Sequence, residues 1–76
     1  MDERPTKRIE STDRQHYVEI VTRDDGLFRF VEHTQMTDSG YAFWTPTHWS
    51  GLYSDAQTAE REAKATLGWL RDRISD

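Results

Sequence analysis

The chain contains no cysteine, which excludes disulfides, thiolate metal centres and cysteine nucleophiles and leaves its apolar core to hold it together. It also has no long apolar run. Nothing approaches the roughly 18 residues of a membrane span, and the opening Met1-Asp2-Glu3-Arg4-Pro5 lacks the basic-then-hydrophobic pattern of a secretory leader. The expectation is a soluble, cytoplasmic protein with no membrane association. Positive charge is in short supply as well: ten Lys+Arg stand against fourteen Asp+Glu, a formal charge of -4 with a pI near 5.2. That is the wrong balance for a typical nucleic-acid binder. With 76 residues, 34% of them hydrophobic, the chain is long enough for one small domain.

Residues 1–15 offer little to bury. Past the initiator the only aliphatic side chain is Ile9, and Arg4, Lys7, Arg8 and Arg14 cancel Asp2, Glu3, Glu10 and Asp13. This stretch is expected to be a disordered N-terminal arm, which places the net negative charge and the single folded domain in residues 16–76. At His16 the composition changes. His16-Tyr17-Val18-Glu19-Ile20-Val21-Thr22 and Leu27-Phe28-Arg29-Phe30-Val31-Glu32-His33 are rich in β-branched and aromatic residues and read as strands. A three-residue loop Asp24-Asp25-Gly26, with Gly26 left-handed, sets Thr22 opposite Phe28, Ile20 opposite Phe30 and Val18 opposite Glu32. Val18, Ile20, Phe28 and Phe30 then share the core face. A two-residue turn would throw both phenylalanines to the other side. The opposite face carries Tyr17, Glu19, Val21, Leu27, Arg29, Val31 and His33, a mixture that marks it as a candidate contact surface.

Thr34 to Gly40 reads as a polar loop, and Tyr41-Ala42-Phe43-Trp44-Thr45 as a third strand stopped by Pro46. Leu52-Tyr53 is either a short strand or the lead-in to a helix. Ser54 with Gln57 forms a capping-box signal for that helix. Its inward stripe comprises Ala56, Ala59, Ala63, Leu67, Leu70 and Ile74. At Gly68 the helix either ends in a left-handed cap or runs on to about Ile74, and the continued stripe favours the second. The fold class is therefore α+β: an antiparallel sheet of about three strands packed on one C-terminal helix behind a disordered arm.

Chemistry-bearing patterns are sparse. His16, His33 and His48 sit on different elements with no metal-ligand spacing. Asp24-Asp25 is explained by its turn, and no nucleophile has a base at a recognisable spacing. No catalytic residue, metal site or cofactor is expected, and the chain reads as a non-enzyme. Aromatic density is what stands out. Tyr41, Phe43, Trp44, Trp49 and Tyr53 crowd one stretch together with His48. Trp44 and Trp49 either cap the open end of the core or form a surface, and Trp and Tyr are the residues that anchor interfaces. The candidate interaction surface is Tyr41, Trp44, His48, Trp49 and Tyr53, joined by Tyr17 and Val31 of the outer face. From Leu27 to Glu60 the only basic residue is Arg29, against Glu32, Asp38, Asp55 and Glu60, which opposes stacking on nucleic acid.

In Gly26, Phe28-Arg29-Phe30, Tyr53-Ser54 and Ala59 the layout resembles the YegP-like family of small bacterial proteins of unsettled role. The resemblance implies a ββ(β)α fold and pairing through sheets, although that family's Asn-Gly-Glu turn is replaced here by the longer region from Met36 to Trp49. Leu52-Tyr53-Ser54 to Ala63 is also similar to the three-strand-plus-helix layout of plant ethylene-response-type DNA-binding domains, whose arginine- and tryptophan-bearing strands are not reproduced. The sequence therefore points to a small binding or adaptor protein with an unknown protein partner or a second copy as partner, the alternative being a nucleic-acid-associated three-strand-plus-helix domain.

Overall fold

A computed structural model describes residues 3–74, with side chains through Arg71. Its four strands are β1 (Glu3–Glu10), β2 (His16–Arg23), β3 (Phe28–Asp38) and β4 (Tyr41–Trp49), followed by the helices α1 (Ala56–Thr66) and α2 (Gly68–Ile74). The strands form an antiparallel meander in the order β1-β2-β3-β4. The fold is thus α+β, with four strands where three were expected.

The β2–β3 hairpin follows the expected register: Thr22 faces Phe28, Ile20 faces Phe30 and Val18 faces Glu32. Gly26 sits at φ 83° and donates its N–H to the Arg23 carbonyl at 3.0 Å, while the Arg23 N–H reaches the Leu27 carbonyl at 2.8 Å. Only a glycine takes that left-handed conformation without steric cost. The consequence is a core of Val18, Ile20 and Phe30 with Ala59, Ala63, Leu67 and Leu70, against which Ile9, Phe28, Tyr53, Ala56 and Trp69 pack. The two buried alanines let α1 approach the sheet closely enough for Phe30 to fill the space between them.

The expected disordered arm is corrected over residues 3–10. β1 pairs with β2, Ile9 opposite Val18 and Lys7 opposite Ile20, with a bulge between Pro5 and Lys7. Apolar burial supplies little of this order. The strand is held by its backbone ladder, by the Thr6 hydroxyl donating to the Ile20 carbonyl (2.9 Å) and by ion pairs from Lys7 to Glu60 and from Glu3 to Arg29, both at 2.8 Å. An edge already formed by β2 is a template of unpaired amides and carbonyls, so the added strand needs few hydrophobic side chains. The Lys7 ammonium, lying against Glu60, is also the main reason that carboxyl is held below its usual range. Met1 and Asp2 of the expected arm lie outside the described residues.

Two further differences concern the aromatic segment. The expected loop Thr34–Gly40 is instead the second half of β3, and the turn is only Ser39-Gly40, both residues left-handed at φ 52° and 84°. A two-residue turn of that hand matches the twist of a hairpin. Pro46 does not stop the third strand: β4 continues to Trp49, with a bulge where Glu32 and His33 face His48 and Pro46. An edge strand with a bulge is where a proline is tolerated, because no central ladder needs its missing amide. Tyr53 then returns to β3 through a single bridge, exchanging hydrogen bonds of 2.7 and 2.8 Å with Phe28.

The helix begins one residue later than expected. Asp55, not Ser54, is the N-cap, its carboxylate accepting from the Thr58 N–H, and that bond is the chief cause of its lowered pKa. An aspartate in this role satisfies an orphan amide and complements the helix dipole. Asp55→Ala is expected to lower the urea midpoint of unfolding, and Ser54→Ala to leave it in place. Neither expected ending holds at Gly68. Leu67 adopts an extended conformation (φ -100°, ψ 106°) while its N–H still bonds the Ala63 carbonyl at 2.8 Å, and α2 starts at the next residue. This break lets Leu67 and Leu70 both reach the core. The side chain of Ile74, the last residue of the expected stripe, lies outside the described residues.

Candidate functional site

Both helices pack on one face of the sheet, so the alternation of β-strand side chains puts the rest on a face that no element among the described residues covers. By register this face carries Pro5, Arg8 and Glu10 of β1, Tyr17, Glu19 and Val21 of β2, Arg29, Val31 and His33 of β3, and Trp44, Pro46 and Trp49 of β4. One stack crosses all four strands. The Arg8 guanidinium lies 3.8 Å from the Tyr17 ring centroid, the Tyr17 and His33 rings stack at 4.5 Å, and Trp44 meets Tyr17 edge-on at 4.7 Å. Such cation–π and aromatic pairs hold side chains in fixed positions beyond their area burial. Burial raises the Tyr17 hydroxyl pKa, aided by the Glu19 carboxylate and opposed by Arg8.

Beside this stack Val21 and Val31 are shielded by their neighbours, whereas Trp49 is 54% exposed and Trp44 39%. The face therefore has a floor of buried apolar side chains with two partly exposed indole rings on it. Its charges are matched in number: Glu3, Glu10 and Glu19 face the same side as Arg8, Arg23 and Arg29. Several are paired on the spot, Glu3 with Arg29 at 2.8 Å, Glu10 with Arg8 at 3.5 Å and Glu19 with His33 at 3.5 Å.

On the helix side, a second cluster ties α2 to the sheet. Glu32 accepts from the Trp69 indole N–H at 2.8 Å and from the Thr47 hydroxyl at 3.0 Å. The Thr34 hydroxyl joins Thr47 at 2.8 Å and His16 Nδ1 at 3.0 Å, and the His16 ring stacks on Trp69 at 5.8 Å. A histidine, a carboxylate and a hydroxyl suggest acyl-transfer machinery, but that chemistry needs the nucleophile on one ring nitrogen and the carboxylate on the other. Here Thr34 and Glu32 both approach Nδ1, at 3.0 and 3.8 Å. The arrangement serves as a latch for α2. A shallow depression on α1 is lined by Gln57, Glu60, Arg61 and Lys64, with the Glu60 carboxylate shared between Lys7 and Lys64.

Among the residues singled out from the sequence, Tyr17, Val31, Trp44 and Trp49 come together on the helix-free face. His48 and Tyr53 do not join them: their rings turn to the helix side and stack on Phe30 at 5.6 and 6.5 Å. The bulge in β4 is what turns His48 inward. Tyr41 stands apart at the β3–β4 tip, 77% exposed, near Met36 and Phe43 on the part of that hairpin that runs beyond β2. Of the two positions left open for Trp44 and Trp49 by the sequence, the structure has both rings at the surface. Arg8, Pro5 and Pro46 were missed as members of the face. For Pro5 and Arg8 the signal was the alternation of residues 3–10, which becomes readable only once that segment is paired, and Pro46 joins the face because β4 runs on past it.

Among the described residues no group of three or more His, Cys, Asp or Glu is placed to hold a metal ion, and no helix is long and apolar enough to cross a membrane. No protein-family model matches the chain, and no curated protein or solved structure is detectably similar to it.

Proposed function

We propose that this chain is a small non-catalytic binding protein whose contact surface is the helix-free face of its sheet. The observation that carries the reading is the pair Trp44 and Trp49, more than a third exposed on a floor of Tyr17, Val21 and Val31. Exposed indoles next to shielded aliphatic side chains are the pattern of an interface centre, where truncation of single aromatic residues costs most. Rigidity adds to this, because side chains already fixed by stacking lose little freedom on binding. The even charge of the face favours a partner recognised by shape and apolar contact rather than by a strong field.

The test is capture by the tagged protein, with and without nuclease and at low and high salt, comparing wild type with Trp44→Glu and Trp49→Glu. Recovery of a discrete protein under all conditions, lost in both variants, is the expected result. Recovery that vanishes with nuclease or salt would replace this reading with the nucleic-acid one. Recovery unchanged in both variants would remove the face from the function.

A further inference from the structure

We propose that the occupant of the helix-free face is a second copy of this chain, the two protomers packing sheet on sheet about a two-fold axis. This rests on the reading of that face as the contact surface and names its partner. The first argument is charge. The chain carries a formal -4, so two copies repel wherever their acidic surfaces meet. On the helix-free face Glu3, Glu10 and Glu19 are offset by Arg8, Arg23 and Arg29, so a copy can approach there without meeting a field of its own sign. A partner selected by opposite charge would call for a signed surface.

The second argument is shape and area. The backbone measures 40 × 33 × 16 Å along its principal axes, a slab with helices on one side and bare sheet on the other. A stable interface takes about 800 Å² from each partner, which a face of these dimensions can supply. Two sheets pack about 10 Å apart with interdigitating side chains. Trp44 and Trp49, projecting from one protomer, would pack against the helix-free face of the other, and the two-fold makes each patch complementary to itself.

The third argument concerns the alternatives within the sheet. Both edge strands are blunted. β1 carries Pro5 beside a bulge and β4 carries Pro46 beside another, the devices that make an edge a poor template for an added strand. Pairing through the face is what remains to the sheet.

The experiment is the molar mass of the full chain by sedimentation equilibrium across a wide concentration range, with far-UV circular dichroism of every variant. The expected mass is twice the 9.0 kDa of one chain, with Trp44→Glu and Trp49→Glu each weakening the dimer about thirtyfold or more and keeping the wild-type spectrum. Phe43→Glu, at the hairpin tip, is expected to leave the dimer intact. A dimer that survives both tryptophan substitutions, or that only Phe43→Glu breaks, overturns the proposal. A monomer at every concentration overturns it too. In that event, loss of captured protein in the tryptophan variants would keep the face as a contact surface for a different partner, and unchanged capture would discard both ideas.

Discussion

Phe30→Ala is expected to cost the fold about 3–5 kcal/mol, the range for truncating a fully buried aromatic side chain. Phe30 is the largest of the side chains with almost no exposure, at 1%. It faces Ile20 across the hairpin, stacks with His48 and Tyr53 and belongs to the cluster with Ala59 and Ala63. Its void would be costly to close, because the neighbouring Ala59 and Ala63 are small, already buried side chains that cannot extend into it. Native domains are stable by only about 5–15 kcal/mol, and small ones sit low in that range, so the variant is expected to be largely unfolded. Urea denaturation followed by circular dichroism measures this directly. Phe30→Leu, which keeps most of the volume, is expected to lose much less. A loss below about 1 kcal/mol for the alanine variant would mean that Phe30 does not hold helix and sheet together.

Glu32→Ala should come next, at roughly 1.5–3 kcal/mol, the scale of hydrogen bonds to a charged group. Its carboxylate is the acceptor for the Trp69 indole and the Thr47 hydroxyl, so its removal strips the latch of α2 and takes the acceptor from the Trp69 indole, while Thr47 keeps its hydrogen bond with Thr34. The effect is expected to be local. Amides of α2 should exchange with deuterium much faster while those of β2 and β3 stay protected, because segments open separately when their own contacts are lost. The Trp69 indole N–H, read by its nitrogen-correlated proton resonance, should lose its shift and protection in Glu32→Ala. Uniform acceleration over the whole sheet would show that Glu32 supports global stability instead of docking α2.

The parts of this fold that could be read from residue order are those in which a turn and bulky side chains agree. Gly26 and the pair Phe28 and Phe30 define one register for the β2–β3 hairpin, since every other choice wastes the two largest apolar groups. The helix stripe is equally plain, because Ala59, Ala63, Leu67 and Leu70 repeat at three and four. β1 escaped because its order comes from backbone pairing and two ion pairs, one of which joins Lys7 to Glu60 across a separation of 53 residues. The turn at Ser39-Gly40 was written in the chain but was masked by the polar residues before it. On the functional side, aromatic density pointed to Trp44 and Trp49, while the β4 bulge, which turns His48 to the other face, and the bridge from Tyr53 to Phe28 leave no mark in composition. The latch between Glu32 and Trp69 spans 37 residues and has no local pattern to reveal it.

The two prolines of the edge strands have a consequence for how any assembly of this chain ends. Edge-to-edge pairing is open: each added copy exposes a new edge, and the series grows into a fibre. Pairing about a two-fold axis is closed, because both patches are consumed and nothing is left to propagate. With Pro5 on one rim and Pro46 on the other, the sheet discourages the unlimited route. Replacing Pro46 with a residue that has an amide hydrogen would thus bear less on the stability of one protomer than on whether association halts at a fixed size.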